Sequence, residues 1–175
     1  NDKTFTLKGC SFNDLSESAL IVKNKQKIEI TECNFTSDFY EEDEITEDSS
    51  ISTININENE ETITIELCNF INMKTTTLFF EENTKSISIS NCTIDRKIGV
   101  DNQPSYSIIC SAQERFEVNN LRIDSSGGIY FNPTVKLADY IIINEIELSN
   151  SKYGIICNSQ IEEEKILKSF NLEYF

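Results

Sequence analysis

The chain has no histidine and no tryptophan. Without an imidazole it cannot assemble a histidine-based catalytic constellation. Basic residues are few: 15 Lys and Arg stand against 30 Asp and Glu, for a formal net charge of −15. That balance argues against nucleic acid, which calls for a basic stripe, and against an anionic membrane surface. No apolar run approaches the ~20 residues of a membrane-spanning helix, and no signal-peptide pattern opens the chain. No Cys-x-x-Cys pair occurs among the six cysteines, so the familiar spacing of a thiolate zinc site is missing. Hydrophobic residues make up 38%, which is low for a globular domain but suits a thin fold with much surface. Ile, Thr, Asn and Ser are abundant, and they suit short strands and tight polar corners.

What the chain does have is a repeat. The phrase Ile63-Thr64-Ile65-Glu66-Leu67-Cys68-Asn69-Phe70 starts again at Phe5, Ile28, Ile87, Phe116, Ile141 and Lys165. In each copy the first, third, sixth and eighth residues are expected to face a core. Over seven copies that makes 28 inward positions, of which 27 are apolar and only Lys165 is not. Alternation with period two marks a strand with one buried face. Between the third and sixth residues the phase slips by one, which predicts a bend between two short strands. A third apolar run follows in most copies: Ala19–Val22, Ile51–Ile56, Leu78–Phe80, Ile108–Cys110, Ile129–Phe131 and Gly154–Cys157. Spacings of 23, 35, 24, 29, 25 and 24 residues separate the copies.

Three short strands per repeat around one narrow core define a right-handed parallel β-helix, an all-β solenoid of about seven coils. At the usual inter-strand spacing it forms a rod about 30 Å long. Residues 1–175 read as a single β-helix segment with insertions at about 37–50 and 96–105. Glycines in Ser125-Ser126-Gly127-Gly128-Ile129-Tyr130 and Tyr153-Gly154-Ile155-Ile156 are expected to enter the third strand at positive φ. A phrase so close to each terminus suggests part of a longer chain. Its end layers, Phe5, Leu7, Cys10 and Phe12 at one end and Leu167, Phe170 and Leu172 at the other, are expected to be covered by further coils, another domain or another copy.

Four residue sets could carry chemistry. Cys10, Cys33, Cys68 and Cys92 share one phrase position and should stack as an inward ladder of free thiols, or pair as disulfides at the rung spacing. A serine at Cys68 would then bury a hydroxyl with no obvious partner. The first insertion carries Asp38, Glu41, Glu42, Asp43 and Glu44. Their hard oxygens suit a divalent cation, but the spaced ligands and central glycine of a calcium loop are missing, so a solvated loop is the plainer reading. Asn34-Phe-Thr36 and Asn91-Cys-Thr93 fit the N-glycan acceptor pattern, with both asparagines at outward positions. Asp95 and Asp124 follow the eighth phrase residue in adjacent copies, with Arg96 beside the first. Two carboxylates about 5 Å apart are what a retaining glycosidase uses, and a solvated corner is the alternative. No cofactor is implied.

The short coils ending in Cys10-Ser-Phe12, Cys33-Asn-Phe35 and Cys68-Asn-Phe70 resemble the repeats of polymorphic outer-membrane-protein passengers. Gly-Gly-Ile-Tyr at 127–130 is similar to that family's glycine-glycine-aliphatic motif. Its Phe-x-x-Asn motif is not matched, since Phe35-Thr-Ser-Asp38 is only close to it. More broadly the chain resembles the pectin-lyase-like superfamily, which includes polysaccharide lyases, glycoside hydrolases, phage tailspikes and adhesins. The catalytic signatures of its pectin-active members are missing here. The resemblance implies an extracellular or cell-surface location and a structural or adhesive role. The partners expected are flanking coils, other copies, surface glycans or cell receptors. A polysaccharide lyase or hydrolase is the alternative, and a filament built end to end is another.

Overall fold

A computed structural model of the chain describes residues 3–16, 18–23, 26–37, 52–73, 75–81, 85–96, 106–110, 114–124, 127–131, 140–151 and 153–157. Among them every regular element is a strand, as a period-two apolar pattern dictates. In chain order these are β1 (Thr4–Lys8), β2 (Ser11–Phe12), β3 (Leu20–Lys23), β4 (Lys27–Thr31), β5 (Asn34–Thr36), β6 (Ser52–Asn57), β7 (Ile63–Glu66) and β8 (Asn69–Met73). There follow β9 (Thr76–Glu81), β10 (Ser86–Arg96), β11 (Tyr106–Cys110), β12 (Arg115–Asp124), β13 (Gly127–Phe131), β14 (Tyr140–Ser149) and β15 (Tyr153–Cys157).

They form two parallel sheets of nine and six strands. Phrase residue pairs with phrase residue up the stack. The first position runs Phe5, Ile28, Ile63, Ile87, Phe116, Ile141, each in register with the next. The eighth runs Phe12, Phe35, Phe70, Ile94, Ile123, Leu148. The third apolar runs build the six-stranded sheet, where Leu20, Ile54, Leu78, Ile108, Ile129 and Ile155 are in register. The molecule is therefore a parallel β-helix. Six phrase copies stack among the described residues, where the sequence anticipates about seven; the copy at 165–172 lies outside them.

Inward side chains of the middle coils are sealed from water: Ile30, Ile65, Ile89 and Val118 are all fully buried. Their counterpart Leu7 in the first coil is only partly buried. The 35-residue step between the second and third copies leaves the ladder unshifted, since Phe35 still pairs with Phe70 across it. Among the described residues the one register shift on the phrase side falls between Ile94 and Arg96, where Arg96 comes opposite Met73.

The bend inside the phrase has one cause. Its fifth residue takes the left-handed conformation in every described copy: Gly9 (φ 63°), Glu32 (56°), Leu67 (54°), Asn91 (52°), Asn120 (50°) and Glu145 (52°). One left-handed residue turns the chain and resets which side faces inward, which is the slip in the apolar pattern. This corrects the expectation placed on glycine. Gly9 stands at positive φ, whereas Gly154, at the entry to the third strand, does not turn in that way. A Cβ at Gly154 would meet only Leu148 Cδ1, at an ordinary 3.7 Å.

Candidate functional site

The corner at phrase positions five to seven concentrates the candidate residues, thiols inside and amides outside. Inside, Cys10 is partly buried and Cys33, Cys68 and Cys92 are buried, all as free thiols. Each thiol donates to the carbonyl two residues before it. Cys33 reaches Thr31 O at 3.2 Å, Cys68 reaches Glu66 O at 3.3 Å and Cys92 reaches Ser90 O at 3.2 Å. Each also points at a carbonyl of the preceding coil: Leu7 O at 3.7 Å, Ile30 O at 3.6 Å and Ile65 O at 3.7 Å. A hydroxyl at position 68 would find the same acceptors. The expectation of a partnerless buried serine there is therefore corrected.

Burial pushes the Cys33 thiol above its ordinary pKa. The neighbouring Cys92 thiol, then burial, push Cys68 up strongly. Buried thiols with raised pKa values are poor nucleophiles. Cys110 and Cys157 stand two coils apart, both in register with Phe131, so they are not rung neighbours.

Outside, asparagines at equal positions of adjacent copies bond to one another. Asn69 Nδ2 donates to Asn34 Oδ1 at 3.0 Å, and Asn120 Nδ2 donates to Asn91 Oδ1 at 2.9 Å. On the adjoining face Asn144 Nδ2 donates to Asn119 Oδ1 at 2.8 Å. Ion pairs also link coils: Lys8–Glu32 at 3.1 Å, Lys85–Glu61 at 2.7 Å and Arg122–Glu147 at 4.0 Å. All three are largely exposed, and such pairs contribute about 0–1 kcal/mol each. The Arg115 guanidinium and the Asn119 amide both donate to Glu117. The Asn119 amide, then Arg115, hold the Glu117 carboxyl below the usual carboxylate range.

The rung amides escaped the sequence reading, although their signal was present. Asparagine recurs at phrase position seven in Asn34 and Asn69, at position five in Asn91 and Asn120, and at position four in Asn119 and Asn144. In-register stacking turns each recurrence into a contact.

Asp95 and Asp124 do stand in register on adjacent coils. Asp124 Oδ1 accepts from Asn150 Nδ2 at 2.9 Å, one coil further on. Arg96 departs from the expectation that it flanks the pair. Side chains alternate along a strand, so Arg96 falls on the opposite side from Asp95 and is only 3% exposed. It takes the corner that the fully buried Met73 fills one coil earlier. Burial lowers its pKa to about 10. The acidic residues Asp38, Glu41, Glu42, Asp43 and Glu44 lie outside the described residues. Among the described residues no group of three or more His, Cys, Asp or Glu side chains is arranged to hold a metal ion.

No family, no curated protein and no solved structure matches the chain.

Proposed function

We propose that the chain is a non-enzymatic segment of a cell-surface or secreted protein, a stiff β-solenoid that acts as a spacer or an adhesive stalk. The observation that carries this reading is the way polar side chains are used at the first corner. Asn34, Asn69, Asn91 and Asn120 pair from coil to coil along the rod instead of converging on a point in space. An enzyme needs convergence: an acid, a base and a charge stabiliser within reach of one reacting atom. At the best candidate for that, Asp95 and Asp124, Arg96 is turned to the buried side and Asp124 is engaged by Asn150.

The affiliation proposed with it is the pectin-lyase-like superfamily, and within it the surface passengers with coils ending in Cys-x-Phe. In support, Phe12, Phe35 and Phe70 stack with ring centroids 5.0 and 4.9 Å apart, and Cys33 and Cys68 bond to the coil below each. A repeated motif that makes the same contact in each coil is more informative than its letters alone.

The test is an assay of the purified protein against acidic polysaccharides, following product reducing ends and unsaturated sugars. No turnover is expected. Turnover that disappears in Asp95→Asn or Asp124→Asn would replace the structural reading with a polysaccharide lyase or hydrolase.

A further inference from the structure

Two asparagines of the outer corner differ from the rest in how their amide is used. In each rung pair the later coil donates its Nδ2 to the earlier coil's Oδ1: Asn69 to Asn34 at 3.0 Å, Asn120 to Asn91 at 2.9 Å and Asn144 to Asn119 at 2.8 Å. Asn119 spends its own Nδ2 on Glu117 Oε1 at 3.0 Å. That leaves Asn34 and Asn91. Each accepts on Oδ1, and no described residue accepts from its Nδ2. Of the rung asparagines, these same two have a hydroxyl residue two places on, Thr36 and Thr93, with no proline between. The intervening Phe35 and Cys92 point into the core, at 0% and 2% exposure. In each triplet the asparagine is exposed and the threonine partly so.

We propose that Asn34 and Asn91 carry N-linked glycans, a proposal that rests on the extracellular reading above. The donor is a lipid-diphosphate-linked oligosaccharide. Nδ2 bonds to the anomeric carbon, the bond from that carbon to the diphosphate oxygen breaks, and the lipid diphosphate leaves with its electron pair. Nδ2 gives up one proton, and no oxidant or reductant is involved. Oδ1 is untouched, so the rung bonds from Asn69 and Asn120 survive the modification. The two acceptors sit at phrase positions seven and five of the second and fourth coils, around one corner and roughly 10 Å apart along the rod. Glycans there would cover this edge and keep it in solvent, leaving the six-stranded sheet and the opposite corners for contacts with neighbours.

The protein is directed into the secretory lumen of a eukaryotic cell behind a secretion leader and recovered from the medium. Its mass is read intact and after amidase release, which leaves Asp at each site that carried a glycan. Two glycans are expected, one at each site. Thr36→Ala and Thr93→Ala should each remove one glycan and leave the asparagine and its rung bond in place, with an unchanged melting midpoint. Secreted protein without glycans at Asn34 and Asn91 overturns the proposal. So does a glycosylated protein whose midpoint rises when the glycans are released, since the rung bonds would then conflict with them. The location reading fails separately, if the native cell holds the protein only inside.

Discussion

The first three coils and the last two described solve the same corner with different side chains. In coils one to three the inward pair is a small thiol and a large ring: Cys10 with Phe12, Cys33 with Phe35, Cys68 with Phe70. The rings stack nearly parallel, at 1° and 6°. In coils five and six the pair is two mid-sized aliphatics, Leu121 with Ile123 and Ile146 with Leu148. Coil four, with Cys92 and Ile94, is the junction. From there on the first two strands run through the corner as one, in β10, β12 and β14. The left-handed fifth residue is common to both regions, from Gly9 to Glu145. The bend therefore belongs to the backbone, and the filling belongs to the pair. A dense interior accepts small-plus-large or two of middle size, because what it conserves is volume.

The largest effect should come from breaking the ring ladder at its centre. Phe35 is fully buried between Phe12 and Phe70. Phe35→Ala should cost about 3–5 kcal/mol in a denaturant titration. A loss below about 1 kcal/mol would mean that the rings do not form the core of the first region.

A smaller effect sharpens the exchange of volumes. Cys68→Leu, alone, puts the residue of coil five into coil three and should overpack it by about 1–3 kcal/mol. Phe70→Ile, alone, should leave a void and also destabilise. Together they recreate the Leu121–Ile123 pair, and the double variant should lose less than the sum of the singles by about 1 kcal/mol or more. Strict additivity would show that the two positions do not share one filled volume.

Most of the fold was legible in the sequence, because a solenoid repeats its instructions. Period-two alternation gave the strands, and the three-residue gap between Ile65 and Cys68 gave the bend. What stayed hidden was which residue makes that bend. Gly9 and Asn91 have types that favour the left-handed region, but Glu32, Leu67 and Glu145 do not, and local preference there yields to the stacking of the coil. Arg96 was hidden for a related reason. Its charge argues for the surface, while its place in the alternation puts it inside, and alternation won. The thiol ladder and the in-register Asp95 and Asp124 followed from phrase position alone. Their hydrogen-bond partners did not, because carbonyl positions at a corner depend on a φ that the sequence leaves open.

One left-handed residue at phrase position five makes the corner in both regions. An exchange tests it most directly. Leu67 has φ 54°, is 49% exposed and pays the cost of a Cβ in that region. Asn120, at φ 50°, is a type that tolerates it. Leu67→Asn should stabilise the protein by about 1 kcal/mol. Asn120→Leu should destabilise it by about as much, with loss of the bond to Asn91 added. Equilibrium denaturation of the two variants beside the parent gives both signs. Opposite signs support the shared corner; the same sign in both, or no change in either, would contradict it.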